Sequence, residues 1–214
     1  MKIEFVSKGE VGELQEREGE LILFSMEGMQ EVSYEKELKG ETNYFEKGAR
    51  LSKKREGVVV CGCLTDTRGY KRKSAFVAQD GKILGVSDAL HVLDGEASPG
   101  GSLRIYETKL GRMGVVVAED LFFPEVIQSL SLCGSDFIVC IFGKVDLGRM
   151  QSILRAYASL YGVPLCFCGV GDCMIVDCNA LTFSSSESPV ITEFTPTKEY
   201  HLVETRRRGI FEKA

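Results

Sequence analysis

Apolar and polar positions fall into short blocks along this chain, and the blocks set out its secondary structure. Met1–Val6 alternates loosely and reads as a strand. Leu21–Phe24 is a continuous apolar run, as a strand covered on both faces requires. Val58–Cys63, Gly114–Ala118, Asp136–Phe142 and Val163–Cys168 are further runs of that kind. Asp66–Tyr70 is a turn, and Lys73–Gln79 and Lys82–Val86 are strands joined through Asp80-Gly81, a strong hairpin signal. Leu103–Tyr106 and Cys173–Asp177 are short strands, and Val190–Phe194 is placed to pair with His201–Glu204 at an edge. Ser184–Ser188 reads as a polar turn.

Helical spacing appears between these strands. Val11–Glu18 is a short charged helical piece. Glu35–Lys54 carries Leu38, Phe45, Ala49 and Leu51 at roughly helical intervals, which predicts one amphipathic helix ended by Gly57. Glu125–Leu132 follows Pro124, where a missing N–H costs nothing, and stops at Gly134. Arg149–Tyr161 is a further helix. The stretch from Gly114 to Phe142 is therefore strand–helix–strand. The loop leaving the first strand of such a unit is the ordinary place for chemistry, and here it begins at Ala118.

Composition narrows the picture. The 214 residues, 44% hydrophobic and 27% charged, suit one globular domain over 1–214. A net charge of −5 argues against a general nucleic-acid binder. Apolar runs are too short to span a bilayer, and the first residues hold no apolar stretch of signal-peptide length, so a cytoplasmic protein is the expectation. Eight cysteines in that compartment are expected as reduced thiols.

Ala118-Glu119-Asp120-Leu121, followed by Pro124-Glu125, resembles a signature of the nitrilase, or carbon–nitrogen hydrolase, superfamily. There a strand ends in Cys, then come an aromatic or acidic residue, Asp, a short spacer and Pro-Glu. Ser74 to Gly85 resembles the family's outgoing strand, Asp-Gly and return strand. Pro99-Gly100, Cys173–Asp177 and Arg206-Arg207-Arg208 resemble further segments, so the likeness spans nearly the whole chain with helices and loops trimmed. The resemblance implies an α/β fold: a nitrilase-like α-β-β-α sandwich of two mixed sheets with helices on the outer faces. It also implies a homodimer to which the helix Glu125–Leu132 contributes, and no cofactor.

The family's catalytic positions, carried over residue by residue, are largely emptied. The nucleophilic Cys falls on Ala118. The Lys falls on Ala89, and no lysine occurs between Lys82 and Lys109. The general base, a Glu after Phe-Pro, matches Glu27 in Phe24-Ser25-Met26-Glu27, which loses the Pro and gains a residue. Glu96 stands ahead of Pro99 as a supporting acid. A methyl group cannot attack a carbonyl, so the covalent route is gone. One lost oxyanion donor alone costs roughly 100- to 1,000-fold.

The reading is thus a catalytically inactive homologue with a binding or scaffold role. Its expected ligand is a small amide- or carboxylate-like molecule, in a pocket lined by Met26, Glu96, Glu119, Phe122, Cys140 and Phe142. Glu27 would be its main polar group, or would lie solvated if the trimmed loops leave no pocket. The alternative is an active amidase with a relocated nucleophile, Cys140 or Cys63. Cys-Gly-Cys and Cys-Phe-Cys are tighter than zinc pairs, and small buried thiols are the plainer reading. Glu119 and Asp120 favour the start of the following helix electrostatically. His91 and His201 have no paired nucleophile in the sequence.

Overall fold

The computed structural model describes residues 1–12, 18–93, 95, 97–178, 181–196, 199–201 and 205–207. The first half supplies β1 (Lys2–Val6), β2 (Leu21–Phe24), β3 (Glu31–Ser33), α1 (Tyr34–Lys39) and α2 (Tyr44–Lys54). It continues with β4 (Val58–Thr67), β5 (Tyr70–Gln79) and β6 (Lys82–Asp88). The second half supplies β7 (Ile105–Thr108), β8 (Gly111–Val117), α3 (Pro124–Leu132), β9 (Phe137–Ile141) and α4 (Leu147–Tyr161). After these come β10 (Leu165–Cys168), β11 (Cys173–Val176), β12 (Leu181–Ser185) and β13 (Val190–Glu193). A small hairpin, β14 (Glu199–His201) with β15 (Thr205–Arg207), stands apart.

Two mixed sheets result. One runs β13-β1-β2-β4-β5-β6, with β3 beside the far end of β4; the other runs β12-β11-β10-β9-β8-β7. β1, β2 and β4 are mutually parallel, as are β8, β9 and β10, while the hairpin strands are antiparallel. Alternation along each strand then decides the layers. Ile3, Leu23 and Val60 of one sheet meet Val115, Val139 and Ile141 of the other in a shared core. Ile22, Val59 and Phe76 face Ala49 of α2. Val116, Ile138 and Phe167 face Ile127 of α3 and Leu154 of α4. The architecture is an α-β-β-α sandwich.

Several elements differ from the sequence expectation. Glu35–Lys54 is two helices, because Gly40 takes the left-handed conformation at φ 72° and closes α1 with its N–H on the Glu37 and Lys36 carbonyls. The Glu37 carboxylate then receives the N–H groups of Tyr44 and Phe45, at 2.9 and 3.3 Å, and so caps α2. Val190–Glu193 pairs antiparallel with the outer edge of β1, which would otherwise leave the groups on that edge unpaired, and His201 pairs with Thr205. Residues 202–204 of the pairing expected between Val190–Phe194 and His201–Glu204 lie outside the described residues, as do residues 13–17 of the short helix expected at Val11–Glu18. The polar segment beginning at Ser184 is not a turn throughout: Leu181–Ser185 is an edge strand that shows its polar side to solvent.

Candidate functional site

The site begins where β8 leaves its sheet. Ala118 stands at φ 48°, a left-handed conformation that costs a residue with a Cβ roughly 1–2 kcal/mol. The chain turns there into a single 3-10 stretch, Ala118–Phe122, before Pro124 opens α3. Ala118 is 4% exposed and Ala89 1%, and both belong to the core between the sheets. The two alanines are therefore brought into one cluster.

Asp120 holds them there. Its buried carboxylate accepts hydrogen bonds from Leu90 N–H at 2.9 Å and His91 N–H at 2.8 Å, and Oδ1 lies 2.8 Å from His91 Nδ1. Burial pushes the Asp120 carboxyl above its ordinary range and outweighs these hydrogen bonds, which act in the other direction. The His91 ring stacks on Phe123 with centroids 3.6 Å apart. Ala89 is fixed on both sides: its N–H donates to the Lys73 carbonyl, and its own carbonyl accepts from Gly100 N–H.

Glu119 and Asp120 thus serve contacts across the fold as well as preceding a helix. Glu119 turns to Lys73, with 2.5 Å between Oε1 and Nζ, and its Oε2 is buried without a hydrogen-bond partner. Lys73 comes from β5, one strand away from the loop that carries Ala89. A cation therefore does stand close to the elbow, reached from a different element. No spacing rule in the sequence links residue 73 to residue 119; only the strand register exposes it.

The other expected residues do not gather here. Glu27 is exposed on the loop after β2, beside a shallow depression of about 530 Å³ that Glu10, Met26, Gln30 and Leu64 also line. Met26 does reach inward and packs on the core between the sheets. Cys140 and Phe142 lie in the layer between the second sheet and its helices, and Phe122 packs against that layer. Phe122 meets Phe142 edge-on at 5.7 Å, and the Arg149 guanidinium lies over the Phe122 ring. The reason is the two-residue period: Ile141 faces the other sheet, so Cys140 faces away from it. Glu96 lies outside the described residues. The sulfur- and aromatic-lined pocket expected around Glu27 is not assembled from these groups.

Close approach of the sheets fills the space instead. A Cβ on Gly62 of β4 would come 2.5 Å from Met26 Cα, 2.6 Å from the Ser25 carbonyl and 2.8 Å from Ile141 Cγ2. Met26 N–H donates to the Phe142 carbonyl at 3.1 Å, joining the end of β2 to the end of β9. The alternative nucleophiles fare no better. Cys63 faces the α2 side of its sheet, and burial pushes its thiol up to about 12; burial also pushes the Cys140 thiol well above its ordinary value. The thiols of Cys61, Cys168 and Cys173 donate to the carbonyls of Gly62, Leu23 and Ser185. No cluster of three or more His, Cys, Asp or Glu suited to a metal ion occurs among the described residues.

No family model matches the chain. A stretch of 67 residues is 33% identical to a probable nitrilase of Schizosaccharomyces pombe, covering 30% of this chain and 25% of that protein. Among solved structures, a carbon–nitrogen hydrolase from Helicobacter pylori G27 superposes with a TM-score of 0.68 at 17% identity, over 81% of this chain and 75% of that one. An amidase from Nesterenkonia sp. gives 0.69 at 15% identity over the same shares. A cysteine-to-alanine mutant of the Nesterenkonia sp. AN1 amidase in complex with butyramide gives 0.66 at 15% identity, over 81% of this chain and 76% of that one. This chain has the α-β-β-α sandwich fold of the carbon–nitrogen hydrolases.

Proposed function

We propose that this chain is a member of the nitrilase superfamily without its hydrolytic chemistry, acting as a scaffold or binding protein. The observation that carries the reading is the pair Ala118 and Ala89, both buried in the core between the sheets at the two catalytic positions. Without a nucleophile no acyl-enzyme forms; Ala89 offers an oxyanion no cation, and Lys73, the cation close to the elbow, is paired with Glu119. Glu27, the remaining position, faces solvent. Raised thiol pKa values at Cys63 and Cys140, together with their outward faces, speak against a relocated nucleophile.

The butyramide complex of an amidase mutant with alanine for cysteine gives the ligand-binding version its one specific support. In this chain Gly62 lies close to Met26 and Ile141, and the groups expected to line a pocket around Glu27 are not gathered, which supports the scaffold version. Self-association fits that role: Leu132 at the end of α3 and Leu160 near the end of α4 are each 56% exposed.

The test is a panel of small amides, nitriles and glutamine with the purified chain, alongside calorimetric titration with butyramide. No turnover above background is expected. Hydrolysis abolished by Cys140→Ser or Cys63→Ser would replace this reading with the relocated-nucleophile amidase, and saturable butyramide binding would select the ligand-binding version.

A further inference from the structure

The hairpin of β10 and β11 sets two thiols against each other. Strand register pairs Cys168 directly with Cys173. Both side chains fall on the face between the sheets. Gly169 N–H donates to the Asp172 carbonyl at 2.9 Å, whereas the Cys168 carbonyl points the other way and accepts from Phe142 N–H. Cys168 and Cys173 are therefore the non-hydrogen-bonded pair of an antiparallel ladder, with Cα atoms about 4.5 Å apart and side chains close. That separation lies inside the roughly 4.4–6.8 Å that a disulfide spans. Across the ladders Cys166 faces Ile175, Cys63 faces Ser74, and Cys140 faces Val116 and Phe167. The present thiol contacts, to the Leu23 and Ser185 carbonyls at 3.4 Å each, are weak S–H bonds and little obstacle to rotation.

We propose that Cys168 and Cys173 form an oxidation site, which a peroxide converts into a reversible cross-strand disulfide. The Cys173 thiolate attacks one peroxide oxygen. The O–O bond breaks, the departing oxygen leaves as water after taking a proton, and Cys173 becomes a sulfenic acid. The Cys168 sulfur then displaces the hydroxyl, which leaves with the Cys168 proton as a second water. Two thiols are oxidised and one peroxide is reduced.

Access is through the turn between the strands. Val170, Gly171 and Asp172 are half-buried, and two backbone bonds hold them: Val170 N–H to the Gly143 carbonyl and Gly171 N–H to the Ser7 carbonyl, each 3.1 Å. Cys173 and Cys168 flank that turn and both are buried, so a small oxidant reaches the pair when the turn opens. Burial raises both thiols, Cys173 to about 12 and Cys168 well above its ordinary value, so the thiolate fraction is small and the reaction slow beside exposed Cys133.

The experiment treats the full chain with hydrogen peroxide in native buffer, then alkylates the remaining thiols in denaturant. Cleavage ahead of aspartate separates Cys168 from Cys173 at Asp172. The expected product is the Asp172–Val176 fragment joined to the fragment holding Cys168, two hydrogens lighter than the pair and released by dithiothreitol. Fragmentation of the linked peptide assigns the sulfur in the unmutated chain, so the result stands even where a variant misfolds. The link persists in Cys166→Ser and disappears in Cys168→Ser. Complete alkylation of Cys173 while Cys133 is oxidised would overturn the proposal. So would a link to Cys166, oxygen added to Cys173 without a link, or a bridge that forms only in the unfolded chain.

Discussion

Asp120 and His91 meet twice: the buried carboxylate lies 2.8 Å from the His91 backbone nitrogen and 2.8 Å from its Nδ1. This double contact, with a third from Leu90 N–H, ties the loop after β6 to the elbow after β8. Asp120→Ala leaves two backbone donors without their acceptor in a buried place, and a loss of about 3 kcal/mol is expected. Asp120→Asn keeps one acceptor oxygen and should cost about half as much. Urea unfolding at neutral pH measures both; an alanine variant as stable as the parent would show that the loop is held by other contacts.

The same carboxyl gives a pH dependence. Its native pKa is raised above 3.8, so the fold holds this proton to higher pH than the unfolded chain does. By linkage, its contribution to stability is fully present below the unfolded value and is lost as pH rises through the raised native value. The stability of the parent relative to Asp120→Asn should therefore fall as pH climbs from the acid range, and then level off. Urea midpoints of the two proteins across that range decide it. A parent that gains on the variant instead would mean that the hydrogen bonds outweigh burial.

Gly62 packs against the loop after β2 and against Ile141 of the other sheet. In Gly62→Ala the new methyl meets backbone atoms of Ser25 and Met26, which cannot swing aside. Overpacking of this kind typically costs about 1–3 kcal/mol, and the rigid partners place this case at the upper end. Thermal unfolding of the variant checks the value. A neutral result would mean that the sheets part easily and that space at the elbow is recoverable.

At Ala118 the expectation runs the other way. Glycine relieves the left-handed strain there but loses a buried methyl and frees the unfolded chain, so Ala118→Gly should lie within about 0.5 kcal/mol of the parent. Ala158→Gly, in the last turn of α4 and fully buried, should cost about 1 kcal/mol. Denaturant titration of the two variants side by side tests the contrast. An equal loss at both positions would argue against a strained elbow.

Thiol counting probes the burial of the cysteines. Of the eight, Cys133 is exposed and seven are buried. A bulky aromatic disulfide reagent at mildly alkaline pH should titrate one thiol quickly in the native protein and the remaining seven only on unfolding. Two or more fast thiols would point to a loosened core, and Cys133→Ser should remove the fast phase altogether.

Much of the fold was legible before any coordinates. Runs such as Leu21–Phe24 and Val58–Val60 are apolar at successive positions because both of their faces are covered, and that pattern needs no partner to be read. The Asp80-Gly81 hairpin is equally local, since both residues take positive φ. That alanine stands at positions 118 and 89 was likewise visible, because identity at a position is a property of the sequence. Strand pairing was not: Val190–Glu193 joins β1 nearly two hundred residues away, and nothing in its own residues names that edge.

The environment of the site was decided only by the tertiary structure. Sequence order places Cys140 and Phe142 beside the elbow, yet the sheet's alternation turns them toward the helices. Register brings Lys73 to Glu119 and Cys168 to Cys173, and the return of the loop after β6 brings His91 to Asp120. Each of these contacts depends on which strands lie side by side and at what offset. Local residue preferences settle where a strand runs; its neighbours and the direction its side chains face are settled by packing the two sheets against each other and against α2, α3 and α4.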